Sequence, residues 1–169
     1  MASEGAADMF RGIELEADLR TQRLVMTSHS GGWQSQFMPD RVRIESLKGD
    51  WTEERQAPRT SYADHTQQTQ WDRLHALYFC SYALWSYLTI PFLYTYPGFH
   101  TEVLPEWEES GEVWQRLKVT FPDSIASHSR EQVSYFGEDG LLRRHDYTVD
   151  VLGGAPGGSN GQTRTCAWN

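Results

Sequence analysis

The chain has 169 residues, 13% of them aromatic, and a formal net charge of −8. That length suits one domain with its own core and no disulfide staples, and the aromatic content is not that of a disordered chain. The negative balance argues against a nucleic-acid surface, which needs a basic stripe, and against attraction to anionic membranes.

Residues 1–10 read as a frayed start without the basic and apolar regions of a secretory signal, so a cytoplasmic location is expected. From Ile13 the pattern has a period of two. Ile13, Leu15, Ala17 and Leu19 alternate with Glu14, Glu16 and Asp18, as in a half-buried strand. Gln22 to His29 continues it, Gly31-Gly32 is a turn signal, and Trp33 to Met38 is a further short strand that Pro39-Asp40 breaks. Arg41 to Leu47 alternates again, with Val42 and Ile44 on one side, before Lys48-Gly49-Asp50 turns the chain into Trp51 to Arg55. Such a run of short strands predicts an antiparallel meander.

Ala57 to Gln70 is a polar connection. Leu74 to Phe99 then holds 26 residues without one Asp, Glu, Lys or Arg. A helix is predicted over about 70–89, opened by the capping-box pattern Thr69-Gln-Trp-Asp72. Trp71, Leu74, His75, Tyr78, Tyr82 and Trp85 share one face, and Leu77, Cys80, Leu84 and Tyr87 make a second apolar stripe. A helix apolar on nearly all sides must be covered on more than one. Pro91 ends it. The stretch is long enough to span a bilayer, but its His, Ser, Tyr and Pro residues and the strands around it argue for a buried helix and no stable membrane span.

After Gly98 the strand pattern resumes. Glu102 to Glu109 and Glu112 to Phe121 flank the turn Ser110-Gly111, with Val113, Leu117, Val119 and Phe121 opposed to Arg116, Lys118 and Thr120. Glu131 to Phe136 and Leu141 to Val151 form a hairpin about Glu138-Asp139-Gly140. The Gly-rich residues 153–169 read as a flexible tail, leaving 1–152 as a single domain. The fold class is therefore α+β: a curved antiparallel sheet, a half-barrel, wrapped on one long apolar helix. Cys80 and Cys166 make neither a disulfide framework nor a zinc spacing, and no metal or cofactor is expected.

The strand W-x-R-L-x-V-x-F-P at Trp114–Pro122 and the hairpin from Tyr135 to Tyr147, YFGEDGLLRRHDY, carry a family likeness. They resemble an uncharacterised bacterial group of the lipoprotein-carrier-like class, over roughly residues 13–156 and most specifically over 107–156. The resemblance implies a half-open β-barrel that closes over helices and holds an acyl chain or another apolar ligand; it carries over no catalytic residues. Such relatives would begin with an extra helix and strand and continue past Ala155-Pro156. Without them, either the barrel is smaller or its edge strands are exposed, and exposed edges favour pairing with another chain as a homodimer.

Two imidazoles are the chief candidates for chemistry. The alternation in the last strand points His145 and Tyr147 inward and Arg144, Asp146 and Thr148 outward. An inward His beside a Tyr could polarise a ligand carbonyl or act as a general base; equally, it is a core-edge histidine held by one hydrogen bond. His75 lies on the helix face of Trp71 and Tyr78. In a helix set in the concavity it would approach His145, yet two imidazoles are too few for a usual metal site, and a first-turn His bonded to backbone is the simpler reading. His128, in a Ser-rich loop, lacks the G-x-S-x-G setting of a hydrolase. Glu106, Glu108 and Glu109 read as solvated.

Three functions follow. The first is binding of a hydrophobic or amphipathic, lipid-like small molecule between sheet and helix, lined by Trp71, His75, Tyr78, Tyr82, Trp85, His145 and Tyr147. The second is a small isomerase or cyclase in the same cavity with His145 or His75 as acid/base. The third is an oligomeric interaction domain that uses the open sheet edges.

Overall fold

The computed structural model describes residues 12–66, 68–153 and 155–156. Among these the chain is α+β, with one α-helix and two antiparallel sheets of five strands each. It divides between Thr89 and Ile90 into two compact units. The single ribbon expected from the alternation is thus divided: strands before the helix pair only with one another, and so do those after it. Both sheets are plain meanders whose strand order follows the chain, so short hairpins alone set their topology. The frayed start at residues 1–10, residues 157–169 of the tail and Cys166 lie outside the described residues.

In the first unit the strands are β1 (Glu14–Asp18), β2 (Arg23–Ser28), β3 (Trp33–Met38), β4 (Arg41–Ser46) and β5 (Thr52–Gln56). The register aligns Leu24 with Phe37 and Phe37 with Val42, then Met26 with Ser35 and Ser35 with Ile44. These side chains form one buried face, while Gln34, Gln36, Arg41, Arg43 and Glu45 stand on the other. The helix, α1 (Arg73–Thr89), lies against β2, β3 and β4. Leu77, Tyr78, Tyr82 and Trp85 are fully buried. Tyr78 meets Phe37 edge-on at 5.6 Å, and Trp85 Nε1 donates to the Asp18 carbonyl at 2.7 Å. Each such ring contributes about 2 kcal/mol by burial alone.

The helix starts three residues later than predicted. Asp72 is the N-cap: its Oδ1 accepts the His75 N–H at 2.9 Å, and its own N–H donates to His75 Nδ1 at 3.3 Å. The capping box is therefore Asp72 with His75, not Thr69 with Asp72. Thr69 instead accepts the Thr66 N–H.

In the second unit, Pro91 is followed by a 3₁₀ turn, Phe92–Thr95, that carries Leu93 and Tyr94 into a core with Val119 and Phe121. Phe99 packs on Phe121 at 4.9 Å. The charge-free stretch is thus shared: its helical part serves the first core, and Ile90, Leu93, Tyr94 and Phe99 serve the second. The strands are β6 (His100–Glu109), β7 (Glu112–Thr120), β8 (Glu131–Phe136), β9 (Leu142–Val149) and β10 (Ala155–Pro156), the last pairing with Val149 and Thr148. Two bulges interrupt the ladders, one at Pro105-Glu106 and one at Arg143.

Candidate functional site

Of the seven residues predicted to line a ligand, Trp71, His75, Tyr78, Tyr82 and Trp85 belong to the first unit, and His145 and Tyr147 to the second. In the first unit the helix N-terminus gathers an aromatic cluster because Pro58–Tyr62 turns back over it. The Tyr62 ring lies 4.8 Å from His75, 5.3 Å from His65 and 5.4 Å from Trp71, and its hydroxyl donates to the His75 carbonyl at 2.6 Å. His75 is held on both nitrogens. Nε2 lies 3.3 Å from the Ser61 carbonyl, and Nδ1 accepts the Asp72 N–H. Burial raises the Asp72 carboxyl, but the paired hydrogen bonds from Arg55 and the His75 N–H outweigh it and hold the group down at about 2. Further along α1, burial pushes the phenols of Tyr78 and Tyr82 up, and the Cys80 thiol up to about 11. The rings of Tyr78 and Tyr82 meet each other edge-on at 5.4 Å. His65, overlooked in the sequence, stands 4.8 Å from His75; only the fold of 58–62 brings it there.

In the second unit His145 is buried at 2% exposure, opposite Ser134. Burial lowers its imidazole to about 4, against a small opposing pull from Asp146, so the ring is neutral at pH 7. Tyr147 lies 5.2 Å from His145 and stacks flat on His128 at 4.2 Å. Ser134 exchanges a hydrogen bond with the Tyr94 hydroxyl at 2.7 Å; burial, offset in part by that bond, raises the phenol to about 12. His128, read from sequence as an ordinary loop residue, therefore joins the inward pair.

The opposite face of this sheet is tied by charge. Arg144 binds Asp146 at 2.8 and 3.0 Å and Glu109 at 2.9 Å, and lies over the Tyr135 ring. Each of its three guanidinium nitrogens donates to a carboxylate, which ties this face together.

A cleft of about 950 Å³ opens between the β6–β7 and β8–β9 turns, with Val113, Gln115, Gly137 and Arg143 in its lining. The Arg143 guanidinium rests on Gly137, where an added Cβ would come within 2.9 Å of it. It binds Asp139 at 2.8 Å and stands 3.5 Å from Glu112; the first contact holds the Asp139 carboxyl below its usual range. Neither His75 nor His145 lines this cleft. Its signal in the sequence is the pair of turns Ser110-Gly111 and Glu138-Asp139-Gly140; the extra residue that aims Arg143 is invisible there. Among the described residues no group of three or more His, Cys, Asp or Glu side chains is placed to hold a metal, and no helix is long and apolar enough to cross a membrane.

No family model, curated protein or solved structure matches the chain.

Proposed function

We propose that the chain is a binding module for a hydrophobic or amphipathic small molecule, seated in the cleft of the second unit. The cleft carries this reading: its volume falls in the range of ligand pockets, roughly 300–1,000 Å³. Val113, 53% exposed, offers an apolar wall. Glu112, Glu138 and Asp139 against Arg143 favour a neutral or cationic head over an anionic one. The interior beneath α1 supports the carrier reading less, because Tyr78, Tyr82 and Trp85 already fill it with one another and with the sheet. The half-barrel expected around the helix draws its support from the contact of α1 with β2, β3 and β4. Binding is favoured over catalysis because both candidate imidazoles stand away from the cleft lining.

The test is an NMR titration with two probes of equal chain length, octylamine and octanoate, beside mass spectrometry of material purified without detergent. Octylamine is expected to shift the signals of Val113, Gln115 and Arg143 at lower concentration than octanoate does. Absence of shifts at these residues with both probes, and no retained small molecule, would end this reading.

A further inference from the structure

The outer strand of the second sheet bears on a different partner. Among the described residues β6 pairs on one side only, with β7, so alternate N–H and C=O groups along its other side meet no described strand. Its register is unbroken over five residues, from His100 opposite Thr120 to Leu104 opposite Arg116, before the bulge at Pro105-Glu106. Val103 stands opposite Leu117, on the face that carries the buried core, yet it is 73% exposed. The apolar layer of that face therefore runs past its cover to the sheet edge. Four carboxylates lie along the same strand. Glu109 is engaged by Arg144 and Glu106 by Gln115, while Glu102 contributes to the field around Lys118, whose ammonium is hydrogen-bonded to Glu131.

These features select the occupant. A second copy of β6 laid against the first would set carboxylates from both chains along one ladder, and like charges opposite one another destabilise a strand pair. Pro105 and the bulge oppose the same self-pairing. An extended segment of another chain with alternating apolar and basic residues meets every condition. Its backbone completes the ladder at His100–Leu104, its apolar side chains cover Val103, and its Lys or Arg side chains, on the other face, answer Glu102. We propose that β6 is a docking edge for such a segment, which adds a sixth strand to this sheet. The proposal is independent of the small-molecule cleft.

The experiment uses the full chain and a labelled seven-residue peptide of alternating Lys and Val, with two controls. One control is N-methylated on alternate residues and cannot form a ladder; the other replaces Lys by Glu. The Lys-Val peptide is expected to bind, to slow hydrogen exchange of the amides in 100–104, and to weaken about tenfold on N-methylation or on raising salt from 0.05 to about 0.5 M. The Glu form is expected not to bind. The variant Glu102→Lys is expected to weaken binding likewise, but the peptide controls leave the protein unaltered and decide the matter without it. Equal binding of the N-methylated peptide, protection confined to other strands, or a dimer in light scattering that Val103→Lys abolishes would each overturn the proposal.

Discussion

The two units use the same device, a five-stranded antiparallel meander, and cover it differently. The first sheet is covered by α1, a 17-residue helix, and the second by a short turn and a loop. A helix satisfies its own backbone, so the side chains between it and the sheet can be apolar: Leu24, Met26, Phe37, Val42, Ile44 and Leu77 fill that space. A loop brings carbonyls and amides that still need partners. In the second unit buried side chains supply them. Gln132 Nε2 donates to the Ser129 carbonyl at 2.9 Å, as does the Ser127 hydroxyl at 2.8 Å, and Ser129 Oγ donates to the Glu131 carbonyl at 2.8 Å. The buried Ser127, Ser129 and Gln132 of the second unit thus follow from its cover, as polar partners of the loop backbone.

The comparison can be broken most forcefully at Trp85. Trp85→Ala removes a fully buried ring and leaves the Asp18 carbonyl without its donor. It is expected to cost about 3–5 kcal/mol, read from urea unfolding, with faster hydrogen exchange in β2 to β4. A cost below about 1 kcal/mol would mean that helix and sheet are not a packed core.

The second test is pH. Burial holds His145 at about 4 in the folded state, below the usual 6.5 of an imidazole. Between those values the unfolded chain binds the extra proton, so stability falls as pH drops through this window and is constant, for this group, above it. The full loss is about 3 kcal/mol. His145→Leu is expected to flatten the slope of stability between pH 6.5 and 4. A slope unchanged in that variant would place the acid sensitivity elsewhere.

Replacing a loop-satisfying side chain gives a third, smaller effect. Gln132→Leu keeps the volume of the buried site but strips the Ser129 carbonyl of one donor. An expected cost of about 0.5–1.5 kcal/mol follows from the lost bond, since the Ser127 hydroxyl still donates to the same carbonyl. The comparison is sharpened by Met26→Leu in the first unit, a change of shape alone, expected at under about 1.5 kcal/mol. If the two variants lose equal stability, polar cover and apolar cover do not differ as described.

Much of the local structure was legible. Alternation located β3 and β4 almost to the residue and put Val42 and Ile44 on the buried face, because a period of two reports which side of a strand is apolar. It does not report which strand lies next. β5 and β6, the strands on either side of the helix in sequence, are largely exposed, so no apolar face draws them into a common sheet. Lack of charge from Leu74 to Phe99 signalled burial but not that two cores share it. The capping box was read one turn early because a histidine is not the usual third-position partner, although Asp72 and His75 have the required spacing. The inward turn of His145 was readable; its company was not, since His128 reaches Tyr147 through a loop that carries no periodicity. The two turns that flank the cleft were readable; the unmatched residue Arg143 that joins its lining was not.

That residue gives the finest test. Gly137 has no left-handed backbone to justify a glycine; its constraint is the guanidinium lying on it. An alanine Cβ would sit within 2.9 Å of Arg143 Cζ, Nε and Nη2, so the side chain must swing away. Its ion pairs with Asp139 and Glu112 face solvent, which screens them, so losing them costs little stability. Gly137→Ala is therefore expected to leave unfolding nearly unchanged while it alters the cleft and weakens octylamine binding. Arg143→Ala, which empties the same space without a clash, separates the two causes. If both variants bind as the parent does, the guanidinium has no part in recognition, and the apolar wall at Val113 carries it alone.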